Sequence, residues 1–149
     1  MLRLRHCPGT ERRQNHDGFD HIGHVRGGVV AARAIQPDIA IALDVTLAGD
    51  THDLSDKYET ALGAGPCVNL YSFHGRGTLN GTLPHEPLYK EVKAAAEKTG
   101  IQLQRYAGIG LLTDMAYVQM EGKGLAALEM GFPARYTHTP VEACNVADL

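Results

Sequence analysis

At 149 residues the chain is the size of one domain or a large part of one, and 44% hydrophobic against 21% charged residues gives enough apolar material for a core. A formal charge of −3 and a pI near 6.2, with no Lys/Arg-dense face, exclude nucleic acid as the main partner. Cys7, Cys67 and Cys144 are odd in number and share no Cys-x-x-Cys spacing, which reads as reduced thiols in a cytoplasmic protein. No apolar run approaches a membrane span, and the first six residues lack the apolar core of a secretion signal.

Residues 1–25 differ from the rest. They hold four of the eight histidines and four arginines but no lysine, and almost no apolar periodicity. They read as a divergent, poorly ordered arm. His16, His21 and His24 are metal-ligand types, but spacings of five and three give neither a helical frame nor a cysteine partner.

From Arg26 the pattern changes. Gly27-Gly28 leads into an apolar, small-residue helix ending at Ile35, where Pro37 forces the chain out of helical space. Ile39-Ala40-Ile41-Ala42-Leu43-Asp44-Val45 follows, an unbroken apolar run closed by a carboxylate. Such a run suits a central strand of a parallel sheet, covered on both faces, with Asp44 at its carboxyl end, where open α/β sheets collect ligands. A polar turn-rich stretch leads to an alternating strand at 67–71. Residues 86–99 form the clearest helix, with Pro87 in its first turn, Glu86 and Lys90 four apart, and Gly100 as C-cap. Residues 101–106 alternate as a strand, 115–120 form a short helix after Thr113-Asp114, 124–130 read as a buried strand, and 141–149 begin another helix. Ile41, Leu43, Val92 and Leu128 are the expected core.

Three residues carry chemistry by position: Asp44, Asp114 and His138. Asp and His from separate strand ends are ligand types for a hydrolytic zinc or cobalt site. Each has a plainer reading. Asp114 is an ordinary helix N-cap, His138 a satisfied core histidine, and Asp44 a loop cap.

The segment 40–51, together with Leu112-Thr113-Asp114 and Pro133-Ala134-Arg135-Tyr136-Thr137-His138-Thr139-Pro140, resembles the tetrahedral (TET) aminopeptidases in the same order. These are cocatalytic metallopeptidases whose family includes the glutamyl aminopeptidases. The resemblance covers about residues 25–149, read as the C-terminal part of a metallo-aminopeptidase catalytic domain. It implies a three-layer α/β/α sandwich, two divalent ions (Zn or Co), a peptide substrate and a homo-oligomer. It implies further that Asp44 binds one metal and His138 the other, with Thr113 and Asp114 in the substrate pocket. The family's paired glutamates, base followed by ligand, are not found in Gly18-Phe19-Asp20-His21-Ile22-Gly23-His24-Val25. Ungapped alignment puts His21 and Ile22 at those positions, a one-residue insertion puts Asp20 and His21 there, and Asp20 and His21 are the candidate substitutes. The His-x-Asp motif, the bridging aspartate and the assembly domain are also missing. The competing reading is therefore a non-catalytic fragment that keeps fold and subunit contacts. A small metal-binding module using the N-terminal histidines is a third.

Overall fold

The computed structural model describes residues 26–73 and 81–149; the expectations for residues 1–25, including His16, Asp20, His21 and His24, lie outside the described residues. In chain order the elements are α1 (Arg26–Ile35), β1 (Ile39–Leu47), β2 (Cys67–Phe73), β3 (Gly81–Thr82), α2 (Glu86–Thr99), β4 (Gln104–Ile109), α3 (Met115–Val118), β5 (Ala126–Arg135) and β6 (Ala143–Cys144). A 3₁₀ turn at Val146–Asp148 follows. All six strands join one mixed sheet flanked by helices, the α/β class expected.

The ladder between β1 and β5 organises the sheet. It is parallel over nine residue pairs, from Ile39 with Ala126 to Leu47 with Ala134. β2 pairs antiparallel with β5 at Cys67–Gly131 and Val68–Met130, and parallel with β4. β3 continues beside β2, and β6 pairs with the end of β5.

Alternation along β1 divides its residues between two faces. Ala40 and Ala42 point toward a core of Ala32, Met115, Val118 and Ala127, where α1 and α3 pack. On the other face Leu128 and Val68 are fully buried. α2, which contacts β5, is the described helix left to cover them. Gly100 closes α2 in the left-handed conformation at φ 71°, as its C-cap position requires.

Several expectations are corrected. β1 is an edge strand among the described residues, not a central one, because its only described neighbour is β5. Ile41 and Leu43 share the face opposite α1 and α3, and with nothing described over them they are 47% and 80% exposed. Val92 is half-buried, whereas Leu128 is core. The sheet is mixed, since β2 and β4 run against β1 and β5. β1 extends to Leu47, so Asp44 lies within the strand rather than at its end. β5 runs on through Pro133 to Arg135, past the expected boundary at 130. The last residues form β6 and a 3₁₀ turn instead of a helix, because the Asp148 carboxylate is drawn inward. It accepts from the Gly63 and Gly65 amides at 2.8 and 2.9 Å and is 2% exposed. Among the described residues no helix is long and apolar enough to cross a membrane.

The loop after β1 is pinned to β5 by a two-pronged pair. Arg135 donates Nε and an Nη to the two Asp50 oxygens, both at 2.8 Å, and the Leu62 amide donates to the same carboxylate. The Arg135 hydrogen bonds hold the Asp50 carboxyl below its ordinary range. A depressed carboxyl stabilises the fold above about pH 4, and that contribution is lost as pH falls through the folded-state value. Asp50→Asn should therefore cost up to about 1 kcal/mol at neutral pH, the ceiling for a pair this exposed. Its urea midpoint should converge on that of the parent below pH 4. A gap that stays constant down to pH 2 would show that the ion pair is not its source.

Candidate functional site

The face of the sheet that carries Ala42 also carries the polar residues. Parallel register sets Asp44 opposite Gly131 and Ala42 opposite Glu129, so both carboxylates point to one side. In β2 a bulge between Asn69 and Tyr71 shifts the pairing with β4, from Asn69–Tyr106 to Ser72–Gly108. Asn69 and Ser72, three apart, would face opposite ways in a regular strand. The bulge brings both to the Asp44 side. The Tyr71 amide, donating to Asn69 Oδ1 at 3.0 Å, holds it.

These residues line a cavity of about 140 Å³ together with Thr113, Asp114 and His138. Asp44 is half-buried, and its Oδ1 accepts from the Val45 amide at 2.7 Å, which fixes one carboxylate oxygen. Asp114 stands at the start of α3 but makes no capping hydrogen bond there, so the plain helix-cap reading is not how it is used. His138 reaches the cavity through an irregular turn after β5. Tyr136 and His138 both take positive φ, 59° and 63°, conformations that cost a non-glycine residue about 1–2 kcal/mol. Thr139 braces the turn by donating Oγ1 to the Tyr136 carbonyl at 2.6 Å. His138 is exposed and therefore not a core histidine. Asp44, Thr113, Asp114 and His138 thus meet at one pocket. Asp20 and His21 lie outside the described residues.

The sequence reading missed the buried carboxylate of the site. Glu129 is 3% exposed and accepts from Thr113 Oγ1 at 2.7 Å, and Thr113 also contacts Thr82 Oγ1 at 3.3 Å. Burial pushes the Glu129 carboxyl up, and the charge of Asp44 adds to this. The Thr113, Asn69 and Thr82 side chains act against it. Tyr106 and Cys67 are likewise pushed up by burial, which leaves the phenol protonated and the Cys67 thiol unreactive. A signal for Glu129 was present: it is the one charged residue inside the apolar run 124–130, and a buried carboxylate is costly unless something repays it.

Among the described residues no group of three or more His, Cys, Asp or Glu side chains is arranged to hold an ion.

Residues 21–149 match the family described as M42 glutamyl aminopeptidase. Among curated proteins, SgcX of Escherichia coli (strain K12) is 35% identical over 126 residues, 85% of this chain and 34% of that protein. The lysyl aminopeptidase of Pyrococcus furiosus is 31% identical over 130 residues, 84% of this chain and 33% of that protein. The solved aminopeptidase APDkam598 of Desulfurococcus kamchatkensis superposes with a TM-score of 0.77 at 30% identity. That match covers 87% of this chain and 35% of the other. The chain spans about a third of the length of these relatives.

Gly131 is the tightest point of the site. A Cβ there would lie 1.9 Å from the Asp44 carbonyl oxygen, so any side chain must push β1 away. Gly131→Ala should lower stability by about 1–3 kcal/mol in urea denaturation. A variant as stable as the parent would show that β1 and β5 approach less closely than described.

Proposed function

The chain belongs to the M42 glutamyl aminopeptidase family, and on that premise we propose that it carries the substrate pocket and two metal ligands of a metal-dependent aminopeptidase. The observation that carries the proposal is the meeting of Asp44, Asp114 and His138 at one pocket from three distant parts of the chain.

In this reading Asp44 and His138 each serve one of two divalent ions. One carboxylate and one imidazole do not complete a site, since zinc alone takes about four ligands. The remaining donors and the general base then come from outside the described residues. When bound, divalent ions polarise a scissile carbonyl and acidify a water. The chain's own side chains bind and orient. Asp114 at the pocket mouth offers a carboxylate to a peptide's terminal ammonium. Thr113, held on Glu129, fixes the wall beside it. The alternative is a non-catalytic chain that keeps the fold alone.

Metal titration and peptidase assays separate these readings. Zinc or cobalt should bind weakly to the purified chain, and Asp44→Ala and His138→Ala should each lower affinity at least tenfold. Hydrolysis of aminoacyl-nitroanilides reads whether residues outside the described ones supply the base, a contribution of roughly 10²–10⁴ in rate. Unchanged metal affinity in both variants would remove Asp44 and His138 from the ligand set. Hydrolysis that disappears in Asp20→Ala or His21→Ala would place the base in residues 1–25.

A further inference from the structure

The loop between β5 and β6 holds His138 in a backbone shape that strand pairing does not dictate. The ladder ends where Arg135 meets Ala143, so residues 136–142 lie outside it. Arg135 is also fixed from outside, by its two-pronged bond to Asp50. Beyond that anchor Tyr136 and His138 both take left-handed φ, which bulky side chains adopt only where their surroundings impose it. Packing contributes little here, since both residues are exposed.

The Thr139 hydroxyl supplies bonds across the loop. Its Oγ1 donates to the Tyr136 carbonyl at 2.6 Å and accepts from the Val141 amide at 3.3 Å. One hydroxyl thus ties the carbonyl two residues before His138 to the amide three residues after it. A backbone bond of the helical kind onto the Tyr136 carbonyl is impossible, because residue 140 is proline and has no N–H. Pro140 also confines Thr139 to extended backbone, so the hydroxyl starts from a narrow range of positions.

We propose that Thr139 is a positioning residue, whose hydroxyl locks the left-handed turn and so holds the His138 imidazole at the pocket before any ligand arrives. A ligand that meets a side chain already in place orders less of the protein on binding, so the lock raises affinity without touching the ligand. The consequence for metal rests on the reading of His138 as a ligand. The lock itself does not.

The test compares Thr139→Val, which keeps the shape and loses the hydroxyl, with Thr139→Ser, which keeps the hydroxyl. Left-handed backbone is read in the metal-free chain from strong intraresidue amide-to-Hα NOEs at Tyr136 and His138. Both NOEs should weaken in Thr139→Val and persist in Thr139→Ser. Zinc affinity should fall about three- to tenfold in Thr139→Val, the worth of one hydrogen bond, and stay within about twofold of the parent in Thr139→Ser. Thr99→Val removes a comparable bond far from the pocket, where Thr99 Oγ1 donates to the Ala95 and Ala96 carbonyls. It should leave the NOEs and the zinc affinity at parent values.

NOEs that survive in Thr139→Val, or a Thr139→Ser chain impaired as much as Thr139→Val, would overturn the proposal. So would an equal loss of zinc affinity in Thr99→Val, which would trace the effect to stability. If zinc does not bind, or His138→Ala leaves its affinity unchanged, the metal reading falls and the NOE comparison alone decides the lock. Where His138→Ala does weaken zinc, parent-like affinity in Thr139→Val counts against the lock.

Discussion

The parallel ladder between Ile39–Leu47 and Ala126–Arg135 sets the geometry of everything functional in this chain. Nine consecutive pairs fix which residues share a face, and a slip of one would turn Asp44 and Glu129 to the opposite side. The register is held by the small residues packed against α1 and α3, chiefly Ala40, Ala42 and Ala127. It is also held by Gly131, which has no room for a side chain against Asp44. Packing and site are therefore one constraint. The same alternation that fills the core with alanine carries the carboxylates to the pocket.

The second determinant is the polar interior beside that core. Glu129 bonds Thr113 ahead of α3, and Asn69 reaches the same region from the bulge of β2. Burying a carboxylate opposes folding unless hydrogen bonds repay the lost hydration, and the Thr113 hydroxyl repays part of it at Glu129. Hydrophobic residues of similar size would fill the space more stably, so the polar set is better explained by binding than by stability.

Much of the fold was legible because local chemistry marked it. The Pro37 stop, the Gly100 cap and the apolar run of β1 each fix an element without reference to the rest. Asp44, Asp114 and His138 could be singled out for the same reason, as polar residues where the local pattern does not ask for them. What stayed hidden depends on pairing. An apolar run does not say whether its neighbours lie on one edge or two, so β1 read as central. The pocket role of Asn69 requires a bulge whose effect exists only against β4. The carboxyl-terminal segment read as helical because the two amides that capture Asp148, at Gly63 and Gly65, lie more than eighty residues away.

The exposure of β1 follows from the same logic. A strand of alternating isoleucine, leucine and alanine is the composition of one covered on both faces and paired at both edges. Among the described residues it is paired at one edge, and Leu43 is 80% exposed. Asp44 sits on this strand, one residue from Leu43, and a long apolar edge is a ready template for another strand. The uncovered apolar face and the pocket lie on opposite sides of β1, because the alternation that exposes Leu43 turns Asp44 the other way.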